Sequence, residues 1–246
     1  MVTLPWLLVV AAAKTDLPYR DPLALVRFDV DSRRFDSRAM GGSVWGHSEP
    51  PGPRQTEARD ALRQAMRRYP PGMITRHLRF VYTTRRLFQD GEELLGVYVY
   101  IPPGICLAMG APAESFNPRE LRSTFHHEFA HAIYTQRPGF PRKEWDAQNE
   151  RGYEYGSWPQ NEARDEFALS DALARAGFVN AYAASDHAED FAEVAERVMG
   201  NDADFWRACR KYPRLAAKAR LVETFYRRIH PGFRVAHGPA DLFPRG

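Results

Sequence analysis

The chain has 246 residues, 44% hydrophobic and 13% aromatic, enough to bury a sizeable core and unlike a disordered composition. Its 34 basic and 31 acidic side chains nearly cancel to a net charge of +3, which argues against a dedicated nucleic-acid binder, because that function needs a concentrated basic face. Two cysteines, Cys106 and Cys209, cannot build a disulfide framework or a thiolate zinc site and are expected to be free and buried.

In chain order, LPWLLVVAAA at 4–13, followed by Lys14, fits the apolar core of a signal peptide or a buried β-strand. A secreted or cell-envelope location is preferred to a cytoplasmic one, although no basic residue precedes the run. It is too short to cross a bilayer, so an integral membrane protein is not expected. Residues 1–54 read as an N-terminal segment, with GGSVWGHSEPPGPRQ at 41–55 an extended loop or linker, and residues 55–246 as the main domain.

TEARDALRQAMRRY spaces Ala58, Leu62, Ala65 and Met66 as a helix and stops at Pro70-Pro71-Gly72. LRFVYTT (78–84) and LLGVYVYI (94–101) read as strands, and Asp90-Gly91 between them as the turn of an irregular hairpin. ICLAMG (105–110) is a third strand. Helical patterns follow at 118–136, about 161–176, 186–199, 202–210 and 213–229. Strands first and helices afterwards predict an α+β domain with a small mixed sheet.

The first of these helices is sharply punctuated. Asn117 is placed as N-cap, Pro118 at the first helical position and Glu120 at the third; Arg137-Pro138-Gly139 ends it. Leu121, Phe125, Phe129 and Ala132 form its buried face. His127 and His131, four apart, project from a neighbouring edge, with Glu128 between that edge and the apolar face. This is His-Glu-x-x-His: two imidazoles one turn apart suit a single Zn²⁺, and the glutamate can take a proton from water. Without a cation, these polar groups beside a core face would be costly to desolvate. His126 points about 100° away and reads as a structural hydrogen-bonding residue.

A catalytic zinc needs a third protein ligand and an open position. A third histidine six residues after the second is excluded, since residue 137 is Arg. Two segments offer a carboxylate. QNEARDEFA (160–168) carries Glu162, whose setting resembles the ligand motif of thermolysin-like peptidases. YAASDHAEDFAEVAERVM (182–199) carries Glu189 and Glu193 on one helical face, suited to a ligand and an acceptor that orients a ligand histidine. His187, close to Glu189, reads as an incidental surface histidine.

HHEFAHAIY together with NAYAASDHAEDFAE resembles the bacterial zinc-binding metallopeptidases of the zincin, or gluzincin, type. Their active-site pattern is similar to that of anthrax lethal factor-type zinc endopeptidases: Tyr, six residues, Glu, one residue, Phe-Ala-Glu. Tyr182, Glu189, Phe191, Ala192 and Glu193 match it. The resemblance spans about residues 60–200. It implies a zincin-like α+β fold, zinc held by His127, His131 and Glu189, Glu128 as general base, Tyr182 as transition-state stabiliser, and a protein or peptide substrate. It also implies that a sheet edge beside the cleft pairs with extended substrate, and either LLGVYVYI or ICLAMG could supply that edge. The rival readings are a zinc hydrolase of non-peptide amides and a zincin-like module that keeps zinc without catalysis.

Overall fold

A computed structural model describes residues 21–28, 44–109, 116–157 and 167–243. The strands are β1 (Val26–Arg27), β2 (Val44–His47), β3 (Phe80–Thr84), β4 (Arg86–Gln89), β5 (Glu92–Leu94), β6 (Gly96–Tyr100) and β7 (Pro103–Ala108). The α-helices are α1 (Pro53–Met66), α2 (Met73–His77), α3 (Pro118–Gln136), α4 (Arg142–Asp146), α5 (Asp171–Ala176), α6 (His187–Gly200), α7 (Ala203–Lys211) and α8 (Pro213–Ile229). The class is α+β, as expected.

β7 is the strand around which the rest is built. It pairs in parallel with β3 and antiparallel with β6, giving a four-stranded mixed sheet ordered β1-β3-β7-β6. A strand with neighbours on both edges and cover on both faces is apolar throughout, and Ile105, Cys106, Leu107 and Ala108 are all buried. Alternation divides them between two cores. Ile105 and Leu107, with Val81 and Tyr98, join the main core under the helices. Cys106 and Ala108, with Val99, pack on Val44 and Leu87 beneath a second sheet, β2-β4-β5. Cys106 and Cys209 are free and buried.

The main core is closed by α1, α3, α6 and α8, with α3 lying against α1, α6 and the sheet. Phe125 and Phe129 of α3, Phe191 of α6 and Phe225 of α8 are fully buried there.

Several expectations are corrected. The loop read at 41–55 contains β2, and α1 starts at Pro53, whose missing N–H is harmless in a first turn. Asp90-Gly91 joins β4 to β5 rather than the two long strands; their φ angles of 51° and 93° suit a tight two-residue turn between twisted strands. The helix read from about 161 begins at Asp171 among the described residues, with 167–170 non-helical. The helices α2 and α4 have five residues each, too few for a periodic signal. The apolar run 4–13 lies outside the described residues, as does Glu162. No helix among the described residues is long and apolar enough to cross a membrane.

Candidate metal centre

The centre stands where α3 and α6 pack together. On α3, Asn117 caps the first turn by accepting from the N–H groups of Arg119 and Glu120 at 3.0 and 3.4 Å. Leu121, Phe125, Phe129, Ala132 and Ile133 are buried, which fixes the rotation of the helix and carries His127, Glu128 and His131 toward α6. His126 faces the core on the other side. Its Nδ1 lies 2.9 Å from the Tyr69 hydroxyl, and burial pushes its pKa down to about 3, so it is a neutral structural residue, as read from its position.

On α6, Asp186 accepts from the Ala188 N–H at 2.7 Å and starts the helix. Phe191, Val194, Ala195 and Val198 are buried. Glu189, Glu193 and Glu196 at positions i, i+4 and i+7 therefore share a face turned to α3.

Three atoms converge. His127 Nε2 is 3.0 Å from His131 Nε2 and 3.1 Å from Glu189 Oε2, and His131 Nε2 is 3.2 Å from the same oxygen. Around a tetrahedral zinc with bonds of about 2.0–2.1 Å, ligand atoms stand about 3.3–3.4 Å apart. The donor triangle has nearly that size, and two imidazoles with one carboxylate are a donor set that zinc accepts. The residues fit the ion.

Behind the triangle, His127 Nδ1 faces Glu193 Oε1 at 3.3 Å and Glu196 Oε2 at 3.4 Å. Glu193 is fixed from its other oxygen by Asn180 Nδ2 at 2.6 Å. Glu196 was not singled out from sequence, although its spacing from Glu189 and Glu193 carried the signal. Burial opposes a charge on His127, but hydrogen bonding to Glu189, Glu193 and Glu196 outweighs it and holds the imidazole pKa well above 6.5. Burial would likewise raise Glu189, yet its bonds with the two histidines pull its carboxyl far below the usual range.

Glu128 is buried, and burial raises its carboxyl pKa against the opposing pull of His127 and His131. It fits because β6 offers Gly96 there: a Cβ at that position would stand 2.8 Å from Glu128 Cγ and Oε1 and 2.5 Å from Thr124 Cγ2. Tyr182 lies across from it, its ring centroid 6.2 Å from that of His127 and its hydroxyl bonded to Glu189. Burial, and then the Glu189 charge, keep that hydroxyl protonated. A cleft of about 680 Å³ opens over His127 and Glu128, walled by Leu95, Gly96, Phe167 and Tyr182.

His187 is not the surface residue expected. It is buried, with Nδ1 3.0 Å from the Tyr134 hydroxyl and Nε2 3.0 Å from Asp146 Oδ1, and it takes no part in the donor triangle.

A family model described as "Putative zinc-binding metallo-peptidase" matches residues 112–228. That is just under half of the chain, and it holds both helices of the donor triangle together with Tyr182. It also takes in α7 and nearly all of α8, which carry no motif legible in the sequence. Among solved structures, a crystal structure of a "putative zinc-binding metallo-peptidase" from Bacteroides caccae is 19% identical, with a TM-score of 0.43, over 69% of this chain. The aligned part covers 61% of that protein's chain, less than two thirds of its length. No curated protein matches.

Proposed function

We propose that the protein is a zinc-dependent peptidase of the zincin type, in which His127, His131 and Glu189 hold the ion. The observation that carries this reading is the convergence of the two Nε2 atoms and the Glu189 oxygen within 3.0–3.2 Å of one another, with His127 and Glu189 62 residues apart in sequence. The family match over residues 112–228 supports the metallopeptidase class.

Bound zinc would supply Lewis acidity, activating a water and polarising a carbonyl. The protein's own groups do the rest. Glu128, buried beside the two histidines, is the base that takes the water's proton and hands it to the leaving amine. Burial, which raises its pKa, makes the carboxylate a stronger base than an exposed one. Tyr182, kept protonated by its surroundings, donates a hydrogen bond to the oxygen on which negative charge develops. Glu193 and Glu196 hold the His127 ring through its Nδ1–H, so that Nε2 presents its lone pair.

Substrate is expected along β6. The strand order leaves it at the edge of the four-stranded sheet, while β7 is enclosed between β3 and β6. Of the two segments that could supply an edge, LLGVYVYI is therefore the one that lies at a sheet edge among the described residues. Its Leu95 and Gly96 reach the cleft beside Glu128, where an extended chain could add as a further strand. A site with three protein donors also differs from the closed four-ligand arrangement of structural zinc, which favours catalysis over an inert zinc module.

The test is digestion of an unfolded protein by the zinc-loaded chain, alongside small non-peptide amides. Fragments should appear, stop with a chelator and resume when zinc is restored. A chain carrying one zinc that cuts small amides and no peptide bond would sink the peptidase reading.

A further inference from the structure

The side of α6 turned away from the donors carries a second set of charges that this chemistry does not use. Asp190 directly follows Glu189, and consecutive side chains leave a helix about 100° apart, so Asp190 points into the core. There its Oδ2 accepts from three donors on three separate segments: Lys218 Nζ of α8 at 2.6 Å, the Tyr155 hydroxyl at 2.7 Å and Trp145 Nε1 of α4 at 2.8 Å. Asp190 and Lys218 are both fully buried. The ammonium also sits 4.4 Å from the Phe178 ring centroid and 5.2 Å from that of Trp145. Tyr155 is held in turn by Asn149 Nδ2 at 3.0 Å.

A buried ion pair is a poor way to gain stability, because desolvation cancels most of the attraction and apolar side chains of similar volume often serve as well. What it adds is direction. Phe191, Val194 and Val198 press α6 against the core, but apolar contact is non-directional and resists rotation or sliding of a helix weakly. Three bonds converging on one oxygen in the first helical turn resist both. The residue immediately before Asp190 in the chain is the donor glutamate itself.

We propose that Asp190, held by Lys218, Tyr155 and Trp145, is a positioning residue that locks the first turn of α6 so that Glu189 meets His127 and His131. The proposal rests on the reading of those three residues as the zinc donors. Zinc or cobalt salts added to the full-length chain test it, with affinity read by chelator competition, the donor geometry by the visible absorption of the Co²⁺ form, and fold by denaturation of the metal-free protein. Lys218→Met should weaken zinc about ten-fold or more, the range known for partners that orient metal ligands, and should shift the cobalt bands. Tyr155→Phe, which removes one donor and little volume, should do the same to a smaller degree. Should Lys218→Met fail to fold, the double variant Asp190→Asn, Lys218→Met removes both charges and replaces it under the same criteria. Folded variants that bind zinc as the parent does, with unchanged cobalt spectra and only a lower denaturation midpoint, would overturn the proposal. A parent chain that takes up no metal would remove the zinc reading and this inference together, so the two failures are told apart by the parent alone.

Discussion

Glu128 is the residue whose surroundings say most about its task. A carboxyl buried beside two histidines, in a niche that exists only because residue 96 has no side chain, is largely desolvated while still lining the cleft. Glu128→Gln keeps the shape and removes the proposed base, so one equivalent of zinc should remain while hydrolysis falls by about 10²–10⁴-fold; a zinc assay beside a peptide-cleavage assay separates the two. Gly96→Ala approaches the same group from the strand. The new methyl would collide with Thr124 and Glu128 at 2.5–2.8 Å, at a cost of about 1–3 kcal/mol for overpacking. Turnover should drop with zinc uptake retained, since none of the three donors is touched. An unaltered rate would mean that Glu128 relaxes without losing its function. His127 makes a pH prediction. Its pKa in the zinc-free protein is raised above 6.5, because the three glutamates outweigh burial, and zinc must displace that proton. Zinc affinity should therefore rise with pH through the neutral range, and uptake should release protons. For the zinc-free fold the sign is opposite. A raised folded pKa contributes stability that is complete below the unfolded value of about 6.5 and is lost as pH rises through the folded one. Titration calorimetry in two buffers of different ionisation enthalpy measures the proton release, and a pH-independent affinity would contradict the assignment.

At the scale of elements, α3 was legible end to end because its boundaries are chemical. An Asn-Pro start and a Pro-Gly stop act locally, and no tertiary contact had to be known to place them. Asn117→Ala should accordingly destabilise the protein by about 1 kcal/mol, read from urea unfolding, with zinc stoichiometry unchanged; a null effect would show that the cap is replaced by another acceptor. The α6 spacing was legible for the same reason, but the residues alone left Glu162 and Glu189 as rival donors, and the choice of Glu189, 58 and 62 positions after the two histidines, came from the resemblance to zinc metallopeptidases. Other features depended on contacts that no window of sequence contains. The hairpin at Asp90-Gly91 was seen as a turn, but its arms were not, because RRLFQ and EEL alternate too briefly and gain their strand character from β2 across the sheet. Glu196 escaped notice since a third glutamate on an acidic helix edge is usually solvated; here α3 lies against it and turns it onto His127. Asp190 and Lys218 likewise sit in runs that read as ordinary amphipathic helix, and only the meeting of α4, α6 and α8 takes both out of water.

For the molecule as a whole, the proposed donors connect two layers of one core. His127 and His131 belong to the helix packed on the sheet, while Glu189 belongs to the helix packed on α8, so an ion between them would tie the strand-bearing half to the C-terminal helices. Without it, that junction holds an imidazole facing three carboxylates, an arrangement stable only while enough protons are shared. Zinc should thus stabilise the fold by mass action, about 2.7 kcal/mol at a free concentration 100 times Kd, equivalent in a chain of this size to roughly 5–10 °C in Tm. The gain should also be local. Hydrogen exchange is expected to slow in the first turn of α6 and the middle of α3, where the donors sit, and to change little in β2, β4 and β5, which contact the rest through a separate small core. Chelation that leaves both Tm and the exchange of α6 unchanged in a protein shown to have carried one zinc would place the ion elsewhere, for the three-donor site cannot be filled without joining the two helices.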